Sequence, residues 1–131
     1  MDATSKKNIG RLFDVVIIGD VIEHVSNPVA LLEFSKRHLK KNGKIYVSTP
    51  NPYFYSFIIN VLKNREIIAH PEHTCWVTPT NALEIGRRAN LKLKKYYMLN
   101  RKKTHNIFIK LVKSIIPLPL LVPAYIYEFV V

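Results

Sequence analysis

Two short stretches hold the side chains that could do chemistry. The first is Asp20, Glu23 and His24, which follow an apolar run, Phe13-Asp14-Val15-Val16-Ile17-Ile18, closed by Gly19. The second is His70, His73 and Cys75, with Trp76 beside them. A histidine among carboxylates suits general acid–base work, because its ordinary pKa lies near neutrality. The plainer alternative is that the acidic residues only cap a turn, and the pattern alone leaves both readings open. His70, His73 and Cys75 have ligand-like spacing, but zinc asks for a fourth ligand and none stands nearby. Packing of a loop is the expectation there.

The elements around these residues follow from periodicity. Phe13–Ile18 is a β-branched run with almost no alternation. A strand apolar on both faces belongs inside a parallel sheet. Ligands in open α/β sheets sit beyond the carboxyl ends of the strands, where Asp20, Glu23 and His24 fall. Ser26 or Asn27 can cap a helix with Pro28 at its first position. Leu31, Leu32, Ser35 and Leu39 share one face of it. Asn42-Gly43 is expected to end it, and Lys44–Thr49 to form a second strand, parallel to the first by a right-handed crossover. Lys36, Arg37, Lys40, Lys41 and Lys44 crowd that helix end, as a solvated face first and a binding patch second.

FDVVIIGDVIEHV followed by LKKNGKIYVSTPNP resembles the second half of class I S-adenosylmethionine-dependent methyltransferases. His73-Thr74-Cys75-Trp76-Val77-Thr78-Pro79, with Leu83 after it, is similar to that family's downstream segment. The resemblance implies an α/β fold, a partial Rossmann-like sheet holding strands 4–7 with their connecting helices. It implies S-adenosyl-L-methionine as cofactor and a small-molecule, quinone or glycan hydroxyl as methyl acceptor. Asp2, Ala3, Gly19 and Asp20 would line the cofactor. His24 would act as base for the acceptor hydroxyl with Glu23 beside it. His73 and Trp76 would shape the floor of the acceptor site. Some quinone-type relatives hold a divalent ion on an acid-x-x-Glu-His cluster, so Asp20, Glu23 and His24 form an optional Mg2+ site.

The family's glycine-rich cofactor loop is missing. The chain has Gly10, Gly19, Gly43 and Gly86 and no clustered pair. The expectation is therefore the C-terminal part of one domain: lead-in 1–12, βαβ core 13–52, acceptor-side loop and helix 53–78, and terminal helix and strands 79–131. The first half is expected from a longer gene or from a second chain. A non-catalytic remnant or partner subunit of a methyltransferase is the competing reading. A sheet cut there would expose an apolar edge, with poor solubility alone or a partner as the consequence.

The rest of the sequence sets bounds. The 131 residues suffice for one domain with a core. One cysteine excludes an internal disulfide and suits a reducing compartment. The first residues lack an apolar signal core, which gives a cytoplasmic expectation. Twenty Lys+Arg against nine Asp+Glu give a net charge of +11, a balance that attracts acidic partners. No recognisable nucleic-acid module accompanies it, so specific nucleic-acid binding is not expected. Residues 53–63 read as an apolar-aromatic helix, packed on the sheet as a lid or lining an acceptor pocket. Thr78-Pro79 opens a helix to about Ala89, with Asn90 in the left-handed position after it. Leu91–Leu99 reads as a strand, and the resemblance implies a loop or helix leading into a last antiparallel strand, Tyr125–Val131. A second reading of 107–131 is peripheral membrane contact, with Lys110 and Lys113 at headgroups.

Overall fold

The computed structural model describes residues 9–64, 71–99 and 116–131. Its elements are β1 (Phe13–Gly19), α1 (Pro28–Arg37), β2 (Leu39–Pro50), α2 (Tyr55–Asn64), α3 (Pro79–Arg88), β3 (Lys92–Leu99), a short α4 (Leu118–Leu121) and β4 (Ala124–Val130). The sheet order is β1-β2-β4-β3. β1 and β2 are parallel, and β4 runs antiparallel to β2 and to β3. The last strand in sequence thus lies between its two predecessors.

Alternation along the strands divides the sheet into two faces. One face carries Ile18, Ile45, Val47, Tyr125, Tyr127 and Phe129, which form one core with Leu31 and Leu32 of α1 and Ala82 of α3. The opposite face leaves Val15 and Ile17 of β1 and Tyr97 and Leu99 of β3 exposed. Glu128 lies on that second face yet is buried, because Tyr97 donates to it at 2.9 Å and Lys44 pairs with it at 3.1 Å.

α1 begins as its sequence indicates, with the Asn27 side chain accepting from the Ala30 amide at 3.0 Å and Pro28 in the first turn. It ends earlier than expected. His38 is buried, and its Nδ1 donates to the Phe34 carbonyl at 2.8 Å while its Nε2 accepts from the Ile9 amide at 3.0 Å. One imidazole tautomer satisfies both bonds, so His38 plugs the helix end and Leu39 already belongs to β2. Asn42, at φ +67°, is therefore not a helix terminator. It shapes an irregularity where the β1–β2 pairing passes from Phe13↔Leu39 to Val15↔Lys44.

α3 is fixed by a reciprocal cap between Thr78 and Asn81. Asn90 takes up the left-handed conformation at φ +54°. Gly86 is the contact point between α3 and β4: a Cβ there would lie 2.6 Å from Phe129 Cε1. α2 has no buried residue, so it does not lie packed on the sheet. Val122 and the alternate residues of β4 are buried in the core, so residues 124–130 form an inner strand. Lys110 and Lys113 lie outside the described residues. No helix among the described residues is long and apolar enough to cross a membrane.

Candidate active site

The site is built where β1 ends. Asp20 sits at φ +49°, a sharp exit from the strand. Its amide donates to the Ser48 carbonyl at 3.2 Å, and the Ser48 hydroxyl donates to its carboxylate at 2.9 Å. Asp20 is thereby anchored to the adjoining strand end. The turn that follows carries Glu23 inward: its side chain is buried, and neither carboxylate oxygen has a hydrogen-bond donor among the described residues.

The segment 72–75 is laced onto that turn from far along the chain. The Thr74 amide donates to the Glu23 carbonyl at 2.7 Å, and the Thr74 hydroxyl reaches the Val25 carbonyl at 2.9 Å. His24 Nδ1 donates to the Glu72 carbonyl at 3.1 Å. A carbonyl can only accept, so Nδ1 carries the proton and Nε2 is the ring's lone-pair nitrogen in the neutral form. These bonds bring His73 to His24, with ring centroids 4.8 Å apart and nearly perpendicular. Trp76 lies edge-on to His73 at 5.7 Å and to Phe57 of α2 at 5.3 Å. The result is a carboxylate and two imidazoles whose donor atoms lie within 4.8 Å of one another, flanked by aromatic rings.

This arrangement revises the expected groupings. Glu23, His24 and His73 converge, whereas Asp20 is engaged with Ser48 and is not part of that set among the described residues. Among the described residues, the side chains close enough to share one ion are Glu23, His24 and His73, and Asp20 is not one of them. Cys75 does not join it: its Sγ points to the Ile22 carbonyl at 3.6 Å, and burial pushes its thiol pKa upward. Asp2, Ala3 and His70 lie outside the described residues.

Sequence reasoning missed Asn51. It is fully buried, its Nδ2 donates to the Pro119 and Val122 carbonyls, and its Oδ1 accepts from the Tyr53 amide at 2.9 Å. It ties the loop after β2 to the proline-rich approach to β4. An asparagine between two prolines was its only signal.

A cleft of about 600 Å3 lies at the other end of the sheet among Lys36, Lys40, Lys41, Lys44 and Lys94. Three of these lysines are paired, Lys40 with Asp14 and Lys44 and Lys94 with Glu128. That matches a solvated face better than a ligand site.

A parallel βαβ unit with a polar cluster at the first strand's carboxyl end, completed by an antiparallel last strand, defines a Rossmann-like α/β fold. A family model described as a methyltransferase domain matches residues 1–96, and the chain belongs to that family. The ubiquinone biosynthesis O-methyltransferase of Pelagibacter ubique is 28% identical over 95 residues, covering 69% of this chain and 40% of the relative. That of Rickettsia prowazekii is 30% identical over 89 residues, covering 64% and 35%. A SAM-dependent methyltransferase from Archaeoglobus fulgidus superposes with a TM-score of 0.59 at 18% identity, covering 91% of this chain and 59% of its own. The chain spans less than half the length of these curated relatives.

Proposed function

We propose that the chain forms the acceptor-side part of an S-adenosylmethionine-dependent O-methyltransferase acting on a small hydroxylated molecule of quinone or phenol type. The observation that carries this reading is the buried, donor-free Glu23 carboxylate converging with His24 and His73 beside Trp76. A buried charge without a partner is costly, so such a site is best explained by a bound group that supplies the missing donor or cation. A phenolic hydroxyl placed among the two imidazoles and the carboxylate does so. The relatives named above, ubiquinone-pathway O-methyltransferases, favour the same acceptor class.

The bound cofactor supplies an electrophilic methyl group for in-line displacement. Gly19 and Asp20 would border its amino-acid portion, at the open end of β1. His24 Nε2 would take the acceptor proton, its orientation set by the Glu72 carbonyl. The Glu23 carboxylate would stabilise the resulting imidazolium. Trp76, His73 and Phe57 would hold a flat acceptor and keep water away.

Mg2+ fits this donor set poorly. It takes oxygen ligands in near-octahedral geometry, whereas two of the three converging groups are imidazoles. No step is therefore routed through it.

The test is calorimetric titration with S-adenosylmethionine, then transfer of labelled methyl to a catechol. Saturable binding, weakened at least tenfold by Asp20→Ala, and label transfer lost in His24→Ala are the expected results. Binding and transfer that are indifferent to both changes would reject the residue roles. A folded sample that neither binds nor transfers would favour a non-catalytic partner.

A further inference from the structure

We infer that Thr74 is a positioning residue of the site: its hydroxyl grips the main chain on both sides of His24 and so fixes which imidazole nitrogen of His24 carries the proton. The inference deepens the proposed function and rests on it for the role of His24, but the tautomer itself can be read without turnover.

The two segments that meet here, 22–25 and 72–75, lie outside any helix or strand. They are held in register by contacts that run both ways. Thr74 Oγ1 stands 3.0 Å from the Glu23 carbonyl oxygen and 2.9 Å from that of Val25, the two residues that flank His24. In the other direction His24 Nδ1 donates to the Glu72 carbonyl at 3.1 Å. His73 therefore lies between Glu72 and Thr74, the contact points of its own segment. Each imidazole sits in the middle of a two-point grip, and a slip of one residue would part the pair.

The hydroxyl is the selective part of that grip. The Thr74 amide already donates to the Glu23 carbonyl at 2.7 Å, and the Cys75 amide approaches the same oxygen at 3.4 Å. These amides hold one side of His24 and leave a pivot there; the hydroxyl adds the second point, at Val25. Thr74 is itself exposed, where a side chain ordinarily contributes little to stability, so its inward bonds are best accounted for by what they position. Without the second point the Glu72 carbonyl drifts from His24 Nδ1. A neutral imidazole can then carry its proton on Nε2, which leaves no lone pair there for the acceptor proton. A ring in place but in the wrong tautomer is a poor base.

The test compares Thr74→Val, which keeps the shape and the amide bond but removes the hydroxyl, with Thr74→Ser, which keeps the hydroxyl. Imidazole nitrogen–proton correlation spectra of the chain read the His24 tautomer, assigned by its disappearance in His24→Ala. Wild type and Thr74→Ser should hold the proton on Nδ1, and Thr74→Val should shift about fivefold towards Nε2–H, the loss of one hydrogen bond. Transfer of labelled methyl to a catechol should show kcat lowered about fivefold in Thr74→Val and restored in Thr74→Ser. Binding of S-adenosylmethionine should not change, because Ser48 anchors Asp20 separately. An unaltered tautomer in Thr74→Val overturns the inference, and so does an equal loss in Thr74→Ser. A wild-type spectrum with the proton on Nε2 overturns it without any variant, which keeps the inference testable should Thr74→Val not fold. The expected tautomers in a chain that transfers no methyl leave the grip standing and reject the proposed function. Transfer that needs His24 but ignores Thr74→Val, tautomer included, does the reverse.

Discussion

Glu23 illustrates how stability and chemistry can pull apart at one residue. Its carboxyl group is buried without a donor among the described residues, so Glu23→Gln replaces it by a neutral amide of nearly the same volume. The melting temperature should stay level or rise, while methyl transfer falls tenfold or more; a mutant that loses both would mark Glu23 as structural. Tyr127 shows the opposite case. Its hydroxyl donates to the Val77 carbonyl at 2.8 Å inside the core, and burial holds its pKa well above the ordinary tyrosine value. Tyr127→Phe should cost about 1 kcal/mol, read from denaturant unfolding, because it strands a buried acceptor. The positions of Asp20, Glu23 and His24 at a strand end were legible from the sequence. The pairing of His73 with them was not, because it depends on backbone bonds from Thr74 that leave no periodic trace.

Among the elements, α3 bears the sharpest packing constraint. Gly86 approaches the Phe129 ring so closely that a methyl group has no room, and Phe129 is fully buried and cannot swing away. Gly86→Ala should destabilise by about 1–3 kcal/mol in spite of its better helix propensity, measured as a lowered unfolding midpoint. The same helix carries an acid-sensitive pairing. Arg87 and Arg88 hydrogen-bond Glu84 and depress its pKa from 4.5 to about 2. Its stabilising effect is thus complete above pH 4.5 and fades as pH falls towards 2. Melts of wild type and Glu84→Gln should converge over that interval; a constant gap would show that the pairing contributes nothing. Start signals for α1 and α3 were plain in Asn27-Pro28 and Thr78-Pro79. The end of α1 was misread because Asn42-Gly43 looks like a helix stop, whereas His38, buried and with two backbone partners, already ends the helix ahead of it.

For the whole molecule, strand positions were recoverable because β-branched runs and turn residues mark each strand, whereas the antiparallel direction of the last was legible only through the family resemblance. The standing-off of α2 was not legible. Its apolar sequence matches a packed helix equally well, and what it packs against is a matter of tertiary context. The Asn51 tether likewise joins segments about seventy residues apart, through hydrogen bonds that hydropathy does not register.

The placement of β4 sets an order of events. β2 and β3 cannot join until β4 has slid between them, so during synthesis the early strands wait for residues made late. Until then β2 presents one open side, and β3 has no partner in the sheet. These are long-range pairings of the kind that slow folding and lengthen exposure to aggregation. A nascent chain stalled before Ala124 would therefore hold β1 against β2 but leave β3 apart, with Tyr125, Tyr127 and Phe129 missing from the core, and would be a natural client for chaperones.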